Sequence, residues 1–264
     1  DKITAVGTSV FTNLDISGDV DVDGTLETDN LTVGGAQGTD GQVLTSTGSG
    51  VGWEDAAGGG VTFKAFGTSS LMVGDDATGT ISAANYNTAL GVDVFAALTS
   101  GDNNVAVGYN AGAGITTGTL NTFIGGLAGD ATTTASDNTG VGAASMGGNT
   151  TGTRNTALGS DSLKVSTTGN DNTAIGKGSL AANTTASNNT AVGKNSLTAN
   201  TTGNSNVAVG TSSLSANTVG DRSVAVGYEA LTAQNPDSNV DMYNVAVGHS
   251  AGAAITTGTN NTLI

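Results

Sequence analysis

The chain has 264 residues, 42 of them Gly, with one Pro, 4% aromatics and 11% charged residues, too few large side chains to fill a wide globular interior. It has no Cys, which excludes disulfides and thiolate metal sites. A formal charge of −15 with only seven Lys and Arg disfavours nucleic acid and anionic membranes, whose phosphates demand clustered basic groups, and no run of about 18 apolar residues is present to span a bilayer.

Residues 1–35 are predicted to form an acidic β-stalk. Leu14, Ile16, Val20, Val22, Leu26, Leu31 and Val33 alternate with polar residues, many of them acidic, and Gly18 and Gly24 mark bends. Asp19, Asp21 and Asp23, followed by Gly24, match the first half of a calcium loop, in which alternate carboxylates converge and glycine permits the sharp turn. Position twelve of such a loop, where a bidentate Glu belongs, is Asn30, and no helical pattern flanks it. Two readings therefore stand, a Ca2+ site and a solvated acidic strand face. Residues 36–69 read as a connector, with a hairpin pairing 42–46 with 51–54 and a flexible linker at Gly58, Gly59 and Gly60. Trp53, the only tryptophan, is either the local core of that hairpin or a stacking platform for a ligand.

From residue 70 onward one motif recurs, seen in Asn155-Thr156-Ala157-Leu158-Gly159 and Asn172-Thr173-Ala174-Ile175-Gly176. Copies begin at 87, 104, 121, 138, 155, 172, 189, 206 and 223 in steps of 17, at 244 after a step of 21, and at 261 after 17 more. A weaker copy, Ser70-Leu71-Met72-Val73-Gly74, brings the number to twelve. Self-similarity at a fixed period predicts an all-β chain, a parallel β-roll or β-solenoid of 17-residue coils over 70–264. Each coil is predicted as a strand, a Gly turn, a short second strand and a polar turn. The chain begins at Asp1 and stops where each complete copy next has Gly, so it reads as an excerpt whose array continues beyond 264.

Strand alternation puts Thr173 and Ile175 on one side and Ala174 on the other. The expectation is that Ile175 and Leu180 fill a thin interior layer. The first motif position, Asn in ten of twelve copies, is expected to form a buried amide ladder that satisfies the turns. The third position carries Ala89, Ala106, Ala157, Ala174, Ala191, Ala208, Ala225 and Ala246. Small residues imply close packing, and these eight are expected to face the same column of other copies, forming a trimer interface.

Nothing in the pattern nominates a catalytic residue. His249, the only histidine, shares its column with Tyr109, Tyr228, Lys177 and Lys194, a variable surface slot. Asp161, Asp171, Asp221 and Glu229 fall at different repeat positions and supply no carboxylate pair for cleaving polysaccharide. The chain is therefore expected not to be an enzyme. The one irregularity, four extra residues between Leu231 and Asn244, offers Asn235, Pro236, Asp237, Met242 and Tyr243 as a receptor-contact loop or as a tolerated insertion. The Thr pairs that start at 116, 150, 167, 184, 201 and 256 raise an ice-binding solenoid as a remote alternative, although they abut Gly or Ala in the turns.

Units such as Asn206-Val207-Ala208-Val209-Gly210-Thr211-Ser212-Ser213-Leu214 resemble the head repeats of trimeric autotransporter adhesins, over residues 70–264, with a longer coil. The segment from Leu14 to Gly35, with Gly38-Thr39-Asp40-Gly41-Gln42-Val43-Leu44-Thr45-Ser46 and Gly50-Val51-Gly52-Trp53, is similar to stalk and connector sequences of bacteriophage tail fibres. These resemblances imply a homotrimeric fibre with an N-terminal β-stalk, a structural and adhesive part of a virion tail fibre. Its implied partners are further copies of itself, other fibre or tail proteins, and a host receptor or glycan. The head of a bacterial cell-surface adhesin is the alternative, and a polysaccharide-cleaving tailspike a remote one.

Overall fold

The computed structural model describes short strands between residues 32 and 74 and the continuous stretch 84–264. Two compact units divide the chain, Asp1–Gly60 and Val61–Ile264. In the first, β1 (Thr32–Val33) pairs antiparallel with β2 (Ala36–Gln37), and β3 (Gln42–Ser46) with β4 (Val51–Asp55), so the predicted hairpin is present. The rest of the predicted stalk, with Asp19, Asp21 and Asp23, lies outside the described residues, as do Gly58–Gly60 and the side chain of Trp53.

The second unit opens with an antiparallel hairpin of β5 (Phe63–Phe66) and β6 (Ser70–Gly74). Eleven strands follow: β7 (Thr88–Gly91), β8 (Val105–Val107), β9 (Thr122–Ile124), β10 (Thr139–Val141), β11 (Thr156–Leu158), β12 (Thr173–Ile175), β13 (Thr190–Val192), β14 (Val207–Val209), β15 (Val224–Val226), β16 (Val245–Val247) and β17 (Thr262–Leu263). From β6 to β17 each strand pairs in parallel with the next in sequence. Partners such as Thr173 and Thr190 are one repeat apart, so each coil is one repeat and the array is an all-β solenoid. The extra residues before β16 leave the register intact, with Val224 opposite Val245. Among the described residues there is no helix.

Positions within a coil are numbered here from the motif residue Asn172 as 1 to Asn188 as 17. The alternation is as predicted but its sides are reversed. Ala174 is fully buried and Ile175 is 37% exposed; the other seven alanines of the column are likewise buried within their own chain. They do not face another copy. The close neighbour that their small size implied is the opposite wall of the same coil, where Leu180 and Asn183 are also fully buried. The interior is too narrow for a second aliphatic opposite Leu180, so position 3 admits little more than a methyl.

Two of the exceptions in the column, Phe123 and Gly140, support this. Phe123 at position 3 coincides with Gly129 at position 9 and lies below Gly140. A Cβ at Gly129 would lie 2.5 Å from the Phe123 ring and one at Gly140 2.9 Å. The ring occupies volume that Leu fills in coils such as 172–188.

The predicted second strand is replaced by turns. In the coil that starts at Asn189, Asn195 and Leu197 adopt left-handed backbone with φ of 56° and 47°. Leu in that region costs about 1–2 kcal/mol, which burial of its side chain, worth roughly 2 kcal/mol, offsets. Both requirements meet at position 9, which holds Leu at 163, 180, 197, 214 and 231, where the core must be filled, and Gly at 129, where Phe123 fills it.

The asparagine ladder is present. Asn172 Nδ2 donates to Asn155 Oδ1 at 3.1 Å and to the Ala186 carbonyl at 2.9 Å, while Asn172 Oδ1 accepts the Asn189 backbone N–H at 3.1 Å. A second buried ladder, not foreseen from the sequence, runs along position 12: Asn200 Nδ2 to Asn183 Oδ1, Asn217 Nδ2 to Asn200 Oδ1, and Gln234 Nε2 to Asn217 Oδ1, all at 3.2–3.3 Å. It continues to Ser166, whose Oγ accepts from Asn183 Nδ2 at 3.3 Å, and breaks beyond it, where the short serine leaves the buried Asn149 Oδ1 without a partner. Ser166→Asn is therefore expected to stabilise the array by about 1 kcal/mol by continuing the ladder. A lower urea midpoint for this variant would contradict that assignment.

Candidate functional site

Two columns of strand residues face away from the interior. Position 2 is Thr or Val from Thr88 to Thr262, and position 4 is Leu, Val or Ile in every coil from Leu90 to Ile264. Leu90 is 49% exposed, Leu158 43% and Val247 41%. At about 4.8 Å per strand the aliphatic column is roughly 50 Å long. A solvated strand face is ordinarily polar, whereas this one carries a contiguous apolar stripe.

The corners at either end of the strand carry the tyrosines, the histidine and all but one of the basic groups of 84–264. After the strand, at position 6, stand Tyr109, Lys177, Lys194, Tyr228 and His249; before it, at position 17, stand Tyr86, Arg154, Asp171, Arg222 and Tyr243. The Tyr228 and His249 rings stack with centroids 5.1 Å apart. Arg222 lies 5.9 Å from the Tyr243 ring centre, donates to the Tyr243 hydroxyl at 3.1 Å and pairs with Asp241. The Tyr243 hydroxyl donates to Asp241 Oδ2 at 3.0 Å. Arg154 grips Asp171 in a two-point pair at 2.7 and 2.9 Å and holds its carboxyl below the usual carboxylate range. Lys164, bonded to Asp161 at 2.8 Å, does the same there.

The insertion is pinned to the stack more tightly than a free loop. Met242 and Pro236 are buried, and a Cβ on Gly220 would lie 3.0 Å from Met242 Cγ and 3.1 Å from Pro236 Cγ. These two are thus core residues rather than receptor contacts, because the wider coil needs apolar filling over Gly220. Asn235 accepts hydrogen bonds from Thr218 Oγ1 at 2.7 Å and Thr218 N at 3.1 Å. Of the predicted contact loop, Asn235, Asp237 and Tyr243 remain exposed.

The first hydroxyl of most Thr pairs is committed within the stack, as Thr167 Oγ1 donates to the Thr184 carbonyl at 3.1 Å and Thr184 Oγ1 to that of Thr201 at 3.0 Å. Among the described residues no three His, Asp or Glu side chains converge as metal ligands. Comparison with protein-family models, curated proteins and solved structures finds no match to this chain.

Proposed function

We propose that the chain is a structural and adhesive fibre element, in which three copies pack in parallel through the outer sheet face and carry a binding surface away from a particle or cell. The observation behind this reading is the unbroken aliphatic column at position 4. Left in water it would be an aggregation hazard, and in a parallel bundle it becomes the central seam. The number three, and a virion tail fibre as the setting, come from the resemblance of the repeats and connector; a bacterial surface adhesin is the alternative setting. The proposed role is mechanical rather than catalytic, with weak contacts to a host receptor or glycan multiplied by valency.

Sedimentation equilibrium tests the assembly. The wild-type chain is expected to be a trimer at micromolar concentration, and Ile175→Asp combined with Val192→Asp to weaken association by more than about 100-fold, since charges would be buried without partners. Thr185→Asp, on an exposed turn outside the sheet face, is expected to leave association unchanged. A folded wild-type monomer at that concentration, or equal effects of the two changes, overturns the reading.

A further inference from the structure

Resting on the parallel assembly just proposed, we infer that neighbouring copies dock corner to corner and in register, position 6 of one copy against position 17 of the next. Copies arranged around an axis along the solenoid have strands that circulate in one sense. The end of each strand therefore meets the start of the same strand in the neighbour. A closed ring of identical contacts allows no net axial slip, which holds both corners at the same coil.

The residues at the two corners suit this contact. All four tyrosines and the single histidine of the chain lie in these two columns, and tyrosine and arginine are the side chains most enriched at buried contacts between chains. Four of the five basic residues of 84–264 lie there too, Lys164 being the exception. Matching the columns coil by coil places Tyr86 beside the neighbour's Val92, Asp171 beside Lys177, Arg222 beside Tyr228, and Tyr243 beside His249. In no coil does the matched pair carry like charges. In the last two of these coils each corner is organised within its own chain, Tyr228 stacked on His249 and Arg222 on Tyr243. A preformed ring stack meets a preformed cation and ring stack, so little side-chain freedom is lost on docking.

Because the chain has no cysteine, paired cysteines read the seam directly. Ser205 and Thr211, at position 17 before strand β14 and position 6 after it, are both exposed, and β14 holds them too far apart within one chain for a disulfide. The double variant Ser205→Cys, Thr211→Cys is expected to give covalent dimers and trimers under mild oxidation, and neither single variant to do so. Tyr228→Ala with Tyr243→Ala is expected to weaken association at least tenfold with the fold retained by circular dichroism, and Lys164→Ala to leave it unchanged. Cross-linking by a single cysteine, or a sedimenting oligomer that the double variant fails to link, overturns the seam while leaving the assembly standing. A folded monomer overturns both.

Discussion

Gly193→Ala is expected to destabilise the array by more than about 3 kcal/mol. Gly193 has φ of +133°, and a Cβ there would lie 2.6 Å from both the carbonyl carbon and the oxygen of Gly210, one coil on. The residue would be strained by its own backbone, and it would collide with backbone that the β13–β14 pairing holds in place. Neither part can relax without breaking the stack. Because each coil is stabilised by its neighbours, damage at one spreads to those above and below. Gly178→Ala is the control. It is also left-handed, at φ +68°, but its Cβ would approach only a side-chain atom, Asn195 Oδ1 at 2.6 Å, which can rotate aside. Its cost is expected to be about 1–2 kcal/mol, that of a non-glycine residue in left-handed backbone. Urea unfolding followed by circular dichroism compares the two, and equal midpoints would show that stacking distance is not what selects glycine at position 5.

Asn189→Leu preserves side-chain size and is nonetheless expected to cost about 2–6 kcal/mol. Asn189 Oδ1 accepts the Asn206 backbone N–H at 2.9 Å, and its Nδ2 donates to the Gly203 carbonyl at 2.8 Å. Asn189 and Asn206 are fully buried, so leucine would strand two backbone groups at about 1–3 kcal/mol each. Thr185→Ala, at an exposed turn position, is expected to change stability by less than about 0.5 kcal/mol. Hydrogen exchange adds a local readout, in which loss of protection at the Asn206 amide is the expected result. Full protection of that amide in Asn189→Leu would remove the ladder from the account of stability.

The asparagine ladders show how far period alone carries. A polar residue that returns every 17 residues in a chain with so little apolar bulk must stack on its own copy, and this was legible at position 1. It was equally available at position 12 in Asn183, Asn200 and Asn217. Ser166 and Thr132 interrupt that column, and the isoleucines at 115 and 255 replace it, which hid the ladder behind a mixed composition.

The repeat by itself determined the all-β solenoid, the coil length, the parallel order and the first ladder, because each follows from identical units that must bury and bond the same groups against one another. It also determined that Ala and its flanking residues face opposite ways. Which of the two faces points inward was decided only by the tertiary structure. Alternation is symmetric under exchange of faces, and the choice depends on the width of the coil, set by Leu180 and Asn183 on the opposite wall. That wall leaves space for a methyl at position 3 and none for Ile175, so the alanines became the core, and the aliphatic column became the exposed face on which the proposed assembly rests.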